Sequence, residues 1–317
     1  MARSVWSRIF GWAGHAASQS SRFGKYDIVR IIHDGEKAVV YQARSPDDQH
    51  FYAIKSYKRL YNRTARRICK RYNLRTEGEI GMMLNPPAGT VPEDYPIVRT
   101  VAHGKEFNDS TRCCFLVQEF VDGVNVKHLV GCSDPLLRER RLEIARTLGR
   151  ALSIIHKRRL VHRDVCTDNI LLPKTGCPKL IDLGFLAPRG IRFKEKTGTP
   201  SYMSPDQIRV RPLHPASDIY SFGVVLFELF TGELPFKSKF SASRPDLQMR
   251  RTSELMDKHL HEPAPRPSEI APDLPDGLEP IIMKCLEKEV SRRYPDMRGL
   301  LAELSAVDDR HEQAKQI

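Results

Sequence analysis

The sequence of 317 residues predicts an α+β fold of two lobes, in which a small β-rich lobe with one main helix precedes a larger α-helical lobe. Short β-branched and aromatic runs separated by turn residues begin at Tyr26 and predict an antiparallel sheet. Helical periods dominate after Asp122 and Gly123, so we expect the lobes to join near residues 119–123. The predicted organisation is an extension (1–25), the small lobe (26–121), the large lobe (122–309) and a tail (310–317).

Five segments of the small lobe have the composition of β-strands. The first three are "YDIVRIIHDG", "KAVVYQAR" and "HFYAIKSY", and the last two are "PIVRTVAHG" and "CCFLVQEFV". Between the two groups lie a basic stretch, Lys58 to Arg75, and the expected helix, Thr76 to Leu84. The basic stretch could contact an acidic substrate, nucleic acid or lipid, but we favour an ordinary solvated surface.

Four segments of the large lobe have helical periodicity. They are "LLRERRLEIARTLGRALSIIHKR", "SDIYSFGVVLFELFTG", "LEPIIMKCLEKE" and "DMRGLLAELSAV". The proline-rich segment "HEPAPRPSEIAPDLP" predicts an extended connection between helices. Between the first two helices, "LVHRDVCTDNILL" places a polar loop between two apolar runs, an arrangement that holds functional groups in fixed positions.

The composition is that of a soluble globular protein, with 40% hydrophobic and 28% charged residues and no apolar run long enough to span a membrane. The seven cysteines form no CxxC pair, which favours a reduced, cytoplasmic location. The net charge of +12 is compatible with anionic partners, but the sequence has no clear nucleic-acid signature.

The extension contains no acidic residue, and Val5, Trp6, Ile9 and Phe10 recur at helical spacing. A transit-type peptide or a short interfacial helix would fit this pattern, and the helix would give weak, peripheral contact with a membrane surface through residues 1–16. We favour a poorly ordered tail or a helix docked on the body of the protein.

Three parts of the chain carry the groups that phosphoryl transfer needs. In the polar loop, the carboxylate of Asp164 can orient a hydroxyl and accept its proton, and the amide oxygen of Asn169 can coordinate a hard cation. Asp182 ends the next strand, where a carboxylate is well placed for Mg²⁺. Lys55 lies in the apolar strand "YAIK"; taken alone, it would be interpreted as a side chain reaching solvent from a sheet edge.

The motifs "YAIK", "VHRDVCTDN", "LIDLG", "GTPSYMSPD" and "SDIYSFGVVLFELFTGELPF" resemble those of the eukaryotic-type protein kinase family in order and spacing. The resemblance extends from Tyr26 to Val307 and implies a two-lobed protein kinase-like fold that uses ATP and Mg²⁺. It implies that Asp164 is the catalytic base and that Asn169 and Asp182 hold Mg²⁺. It also implies that Lys55 holds the α- and β-phosphates.

The family's glycine-rich loop falls on "HDGEKAVV", where only the middle glycine, Gly35, is present. The resemblance places Gly35, Val40 and Ala53 in the ATP site, under an altered lid. The acidic partner of Lys55 should come from the helix before Leu84. Spacing favours Glu77 over Glu79.

The segment "CFLVQEFVDG" resembles the connection between the lobes of a kinase. The resemblance places Gln118 at the back of the adenine pocket and implies that Glu119 and Val121 offer backbone groups to the purine. Asn125 falls where many relatives have an acid that faces the ribose.

The activation segment, residues 182–206, resembles that of kinases that act on Ser and Thr, because Thr199 in "GTPSY" matches the threonine that binds the catalytic aspartate. Asp206 should pair with Arg293. Arg163 matches an arginine that often binds an activation-segment phosphate. Two functional alternatives follow: Glu195 partly substitutes for that phosphate, or Thr197 is the phosphorylation site. The third alternative is that these residues form an ordinary run of solvated charges.

Cys166 stands where Ser/Thr kinases usually carry a lysine that reaches the γ-phosphate, and Lys196 is a candidate to replace the missing charge. We expect an active kinase of Ser/Thr residues in protein substrates, with autophosphorylation at Thr197 as one of the alternatives for the activation segment. The alternatives are a weak or inactive pseudokinase that serves as a scaffold, and a kinase of small molecules. The complete set of Lys55, Asp164, Asn169 and Asp182 argues against the pseudokinase. The segment "GTPSYMSPD" argues against the kinase of small molecules.

Overall fold

The computed structural model describes residues 22–108, 111–241 and 244–307. Most of the predicted extension, including residues 1–16, and the whole predicted tail lie outside this range. The small lobe holds one antiparallel sheet of six strands in the order β1-β2-β3-β4-β6-β5. Its elements are β1 (Arg22–Phe23), β2 (Tyr26–Asp34), β3 (Ala38–Arg44), β4 (Phe51–Tyr57), α1 (Arg59–Tyr72), α2 (Glu77–Met83), β5 (Thr100–Asn108) and β6 (Thr111–Glu119).

The alternation of side chains along β4 determines what the sheet presents on each face. Tyr52 and Ile54 are buried on one face, where they pack with Phe23, Tyr26 and Val117. Because successive side chains of a strand point to opposite faces, Lys55 lies on the other face, towards the large lobe.

The small lobe has two helices where the sequence predicted one. The basic stretch forms α1, since it contains good helix formers and neither glycine nor proline. The helix ends at Asn73, whose φ of 50° is left-handed. Thr76 and Glu79 then form a capping box that starts α2.

The fourth predicted strand begins later than expected. Asn85 explains the shift, because its side chain donates to the Thr100 carbonyl at 2.7 Å and accepts from the Thr100 N–H at 2.8 Å, where β5 begins. Ile97, upstream, instead forms an isolated bridge with Leu180.

The large lobe is helical and has three short β-pairings. Its strands are β7 (Gly123–Asn125), β8 (Leu160–Val161), β9 (Ile170–Pro173), β10 (Lys179–Leu180) and β11 (Ala187–Pro188). Its helices are α3 (Val126–Gly131), α4 (Pro135–Lys157), α5 (Pro205–Ile208), α6 (Pro215–Thr231), α7 (Gln248–His261), α8 (Pro267–Ile270), α9 (Leu278–Cys285) and α10 (Met297–Ser305). The proline-rich segment thus contains a short helix, α8, within its expected extended path.

Helix α6 forms the centre of the large-lobe core, and every residue from Ala216 to Phe230 is buried. A helix that is apolar on most sides can be stable only when other elements surround it. Strand β8 pairs with β11, and strand β9 pairs with both β7 and β10. Because β8 precedes the polar loop at residues 162–169 and β9 follows it, these pairings fix both ends of the loop. Within the described residues, no helix is long and apolar enough to cross a membrane.

Candidate active site

Asp218, in the first turn of α6, holds the polar loop by its backbone. Its carboxylate accepts hydrogen bonds from the backbone N–H groups of His162, at 2.7 Å, and Arg163, at 2.9 Å. Burial favours a raised pKa for Asp218, but the hydrogen bond with His156 and the nearby donors lower it overall. The loop is therefore anchored to the core by a buried charge.

Asp164 has a fixed orientation. One carboxylate oxygen, Oδ1, accepts from the backbone N–H of Thr199 at 2.7 Å and from its hydroxyl at 2.8 Å. The Asn169 amide donates to the Asp164 carbonyl at 2.9 Å and to the second carboxylate oxygen at 3.3 Å. The polar loop and the activation segment thus orient this carboxylate together.

Lys55 joins two carboxylates from different lobes. Its Nζ lies 3.0 Å from Glu77 Oε1 and 2.9 Å from Asp182 Oδ1. Burial disfavours the charged lysine, but the two carboxylates raise its pKa overall. Burial also favours a raised pKa for Asp182, yet Lys55 lowers it to about 2. The helix α2 and the activation segment are therefore drawn together through one ammonium group.

Glu77, which spacing favoured, occupies the position beside Lys55. Burial raises its pKa, although Lys55 opposes this effect. The hydroxyl of Tyr57 also donates to it, at 2.5 Å. Glu79 is exposed and accepts from the Thr76 N–H at 2.7 Å in the capping box, so it is turned away from the site.

Gly184 makes the close approach of these carboxylates possible. A Cβ at this position would lie 2.9 Å from Glu77 Oε2 and 3.1 Å from Asp182 Oδ1. The backbone N–H of Gly184 donates to Asp182 Oδ1 at 3.1 Å. A larger residue at this position would separate the two acids.

A cleft of about 820 Å³ lies between the sheet and the polar loop. It has the size of an ordinary small-molecule site. Gln118 also lines it, and its buried Nε2 has no hydrogen-bond partner among the described atoms. The cleft is lined by the predicted residues Gly35, Val40, Ala53, Lys55, Glu119, Val121, Asn125, Asn169 and Asp182.

The cleft fits a nucleotide, because Val40 and Ala53 provide apolar walls and Gln118 provides an unpaired donor. Lys55 and Asp182 provide charged groups at one end. Glu77, predicted as part of the nucleotide site, does not line this cleft and contacts it only through Lys55.

Two residues of the predicted ribose and purine region make additional contacts. The Asn125 side chain caps α3 by accepting from the Lys127 N–H at 2.9 Å, and it donates to the Asp168 carbonyl at 2.6 Å. The Glu119 carboxylate lies 3.4 Å from Lys179 Nζ and accepts from the Arg99 N–H at 2.9 Å. Both side chains are therefore held by the protein itself.

Cys166 is buried, with 1% of its surface exposed. Burial raises the pKa of its thiol well above the ordinary value, so the group is neutral. The candidate replacement, Lys196, lines a different cavity, and the cleft lining does not include it. The structure places Lys196 outside the cleft lining, and its role stays a prediction.

Lys37 is a cation of the cleft that sequence reasoning missed. It lies in the turn between β2 and β3, lines the cleft and places its Nζ 4.1 Å from the centre of the Phe185 ring. After burial and Lys55, the charge of Lys37 is among the influences on the pKa of Asp182. The position of Lys37 within the altered glycine loop was the only sequence signal.

The activation segment makes two polar contacts that bear on the alternatives for Glu195 and Thr197. Arg163 donates to the Thr197 hydroxyl. Glu195 instead pairs with Arg71 at 2.5 Å and accepts from the Tyr72 hydroxyl at 3.0 Å. Glu195 forms no hydrogen bond with Arg163 among the described contacts. Burial lowers the pKa of Arg163 to about 10, and the charges of Asp218 and Glu195 oppose this effect. The alternatives for Glu195 and Thr197 stay predictions.

Asp206 and Arg293 form a buried ion pair at 2.7 Å. Their side chains are 3% and 0% exposed. Arg293 also donates to the Ala216 carbonyl at 2.8 Å, which ties the end of the activation segment to α6.

A two-lobed fold with an ammonium group between two acids and an oriented aspartate on the polar loop defines a phosphotransferase of the kinase type. The family model described as "Protein kinase domain" matches residues 26–302, and the chain belongs to the protein kinase family. The predicted fold class is confirmed. Membership of this family implies ATP, a divalent metal ion and protein substrates.

Curated relatives include the serine/threonine-protein kinase PrkC of Bacillus subtilis, which is 29% identical over 293 residues. PknB of Mycobacterium tuberculosis is 28% identical over 289 residues. The alignments cover 90% and 89% of this chain but only 41% and 43% of these relatives, so the chain spans less than half of their length.

Among solved structures, the crystal structure of the Mycobacterium tuberculosis PknI kinase domain matches with a TM-score of 0.62. The match covers 92% of this chain and 98% of that chain, at 20% sequence identity. This likeness supports the fold.

Proposed function

We propose that this chain is an active kinase that transfers the γ-phosphoryl group of ATP to Ser or Thr hydroxyls of protein substrates. The observation that carries the proposal is that Lys55, Glu77 and Asp182 are assembled at hydrogen-bond distance while Asp164 is held by Thr199. Phosphoryl transfer depends mainly on positioning and charge, and both are in place here.

Asp164 is the proposed base. Thr199 occupies its Oδ1, so Oδ2, which accepts only a longer bond from Asn169, is the oxygen that would receive the proton of the substrate hydroxyl. The substrate oxygen then bonds to phosphorus as the bond from phosphorus to the β–γ bridging oxygen breaks, and ADP leaves. The neutral Asp164 returns its proton to solvent.

Asn169 and Asp182 are the proposed Mg²⁺ ligands. The described residues contain no group of three or more His, Cys, Asp or Glu side chains that could hold a resident metal ion. Two protein ligands suit Mg²⁺, which usually completes its octahedron with phosphate oxygens and water. When bound, the ion would supply positive charge to the phosphates, and Lys55 would supply a second positive charge.

Lys37 is the proposed replacement for the charge that Cys166 does not supply. It is the cation of the glycine loop that reaches the cleft, above Phe185. A preorganised donor at transferring phosphate contributes roughly 10²–10³ in rate. We assign this role to Lys37 in place of Lys196.

Thr197 is the proposed autophosphorylation site. Its hydroxyl accepts a hydrogen bond from Arg163, whose guanidinium lies 3.5 Å from the centre of the Phe193 ring. A phosphate at Thr197 would replace this bond to a neutral hydroxyl with an ion pair between guanidinium and phosphate. Glu195, already paired with Arg71, would not compete for Arg163.

Incubation of the purified chain with labelled ATP, Mg²⁺ and a general protein substrate tests the proposal, with Asp164→Ala as control. We expect label on Ser or Thr with the wild type and none with the variant. Binding of ATP without transfer would support the scaffold alternative. Label on a small molecule alone would support the small-molecule alternative.

A further inference from the structure

Helix α1 is amphipathic, and its apolar side is only partly packed. Tyr72 packs against Phe193 at one end of the helix, and Tyr61 stacks on Tyr57 near the other. Tyr61, Ala65, Ile68, Cys69 and Tyr72 follow the spacing of one helical face and are all half-buried. No residue of the helix is fully buried. A helix of this kind normally gains its stability by burying such a face. The middle of the face, at Ala65, Ile68 and Cys69, borders open space that an occupant could fill.

A cavity of about 960 Å³ lies beneath this face. Its walls are α1, α2, the β5–β6 edge of the sheet and the activation segment; we call it the α1 cavity. Among its lining side chains are Leu74, Phe115, Leu186 and Phe193. An apolar cavity of this size with a few polar groups is typical of a small-molecule site.

The charges that line the α1 cavity are unbalanced. Each of its three carboxylates has partners: Glu77 binds Lys55, Glu79 binds Thr76 and Glu195 binds Arg71.

Arg66, Arg75 and Lys105 line the same cavity, and none of them forms an ion pair with another described side chain. Arg66 donates to the sulfur of Cys114 at 3.1 Å, and Arg75 donates to that of Met83 at 3.4 Å. Sulfur is a weak acceptor, so these guanidinium groups could form much stronger bonds with an anion.

We propose that the α1 cavity binds a lipophilic anion, such as a long-chain carboxylate, with its chain against the apolar face of α1 and its head group on Arg66 and Lys105. The anion would satisfy the exposed cations, and the chain would bury the face that α1 leaves open. The nucleotide cleft adjoins the α1 cavity, and Lys37, Tyr61 and Phe185 line both. Arg66 and Lys105 line the α1 cavity alone, so the proposed head-group position lies outside the cleft.

Tyr57 links the α1 cavity to the catalytic site. It lines the cavity and donates to Glu77 Oε2, while Glu77 holds Lys55. Occupancy would therefore favour the position of Glu77 beside Lys55. This effect on phosphoryl transfer rests on the proposed function, whereas the binding itself does not.

Isothermal titration of the full chain with laurate, below its micelle concentration and without ATP, tests the binding. Lauryl alcohol has the same chain and no charge. We expect saturable binding of laurate, and a loss of about tenfold in its affinity with Arg66→Ala or Lys105→Ala, equivalent to one charged hydrogen bond.

The matched control is Arg67→Ala, which removes the same charge from the exposed side of α1. It should leave laurate affinity within about twofold, as should all three variants for lauryl alcohol. Equal losses from Arg66→Ala and Arg67→Ala would overturn the assigned position of the head group.

Ala65→Trp fills the cavity from the helix side and should abolish binding of laurate and of lauryl alcohol alike. Unchanged laurate binding in this variant, or no saturable binding to the wild type, contradicts the proposal. Vesicles of phosphatidylcholine and phosphatidylglycerol distinguish a membrane surface from a free ligand. Vesicle binding that Ala65→Trp does not alter, without laurate binding, would assign the basic helix to lipid bilayers and overturn the proposal.

Discussion

The ion pair of Asp206 with Arg293 in the large lobe and that of Glu195 with Arg71 at the edge of the small lobe have opposite environments. The first is almost fully buried, while the side chains of the second are 33% and 48% exposed. Water and salt screen an exposed pair, whereas a buried pair has no alternative partner if one member is removed. The buried pair therefore depends on both of its members, whereas loss of the exposed pair should cost little.

The same contrast extends to the nucleotide site. Asp164 and Asn169 lie on a loop that Asp218 anchors to the buried helix α6. Lys37 lies on an exposed turn and contacts Phe185 only through its side chain. The departures from the kinase pattern at the glycine loop thus fall at an exposed turn.

The largest effect is expected at the base. Asp164→Asn should lower the rate of phosphoryl transfer by about 10³, because the amide cannot accept the hydroxyl proton. Thermal unfolding of the variant should match the wild type. A rate within tenfold of the wild type would remove Asp164 from this role.

Arg293→Met should lower the free energy of unfolding by about 3–5 kcal/mol, since it leaves Asp206 charged and buried without its partner. Urea denaturation measures this change. The matched variant Arg71→Met breaks the exposed pair and should cost no more than about 1 kcal/mol. Equal costs would contradict the difference between the two lobes.

His259 gives the large lobe a pH-dependent stability. Burial lowers its pKa to about 3, and its Nδ1 lies 2.9 Å from the Tyr220 hydroxyl. Below pH ~6.5 this residue binds a proton in the unfolded chain but not in the folded chain. The free energy of unfolding therefore falls as the pH falls.

Between pH 7.5 and pH 5 the wild type should lose about 2 kcal/mol more than His259→Asn, from about 1.4 kcal/mol for each pH unit below 6.5. Urea denaturation at the two pH values measures the difference. Parallel losses in the two proteins would show that His259 is protonated equally in both states.

The smallest effect is expected at the link between the activation segment and α1. Glu195→Gln should slow phosphoryl transfer by about threefold to fivefold, because the loss of an exposed ion pair costs about 1 kcal/mol or less. The exchange of both charges, Glu195→Arg with Arg71→Glu, should restore part of the rate. A double variant slower than either single one would exclude the pairing as the cause.

Family resemblance could predict the groups that lie on short motifs. The roles of Asp164 and Asn169 follow from one loop of the sequence, and Gly184 follows Asp182 directly. The pairing of Glu195 with Arg71 joins residues 124 positions apart, and no local pattern indicates it. Helix α1 was interpreted as a basic surface because its periodic apolar face is shorter and less hydrophobic than that of a core helix.

The sequence also could not predict that the side chain of Lys37 lies in the cleft. A long side chain on a turn can point to solvent or into a cleft, and the neighbouring ring of Phe185 decides between them only in the folded chain. The same holds for Lys196, whose position next to the catalytic segment suggested the cleft although it lines the α1 cavity.

A double-mutant cycle on Lys37 and Cys166 tests most directly whether the small lobe supplies the charge that the polar loop lacks. Initial rates with labelled ATP would be measured for the wild type, Lys37→Ala, Cys166→Lys and the double variant. We predict that Lys37→Ala lowers the rate by about 10² and that adding Cys166→Lys recovers at least about tenfold, more than it adds to the wild type. An unchanged rate in Lys37→Ala, or an equal gain from Cys166→Lys in both backgrounds, would contradict the account.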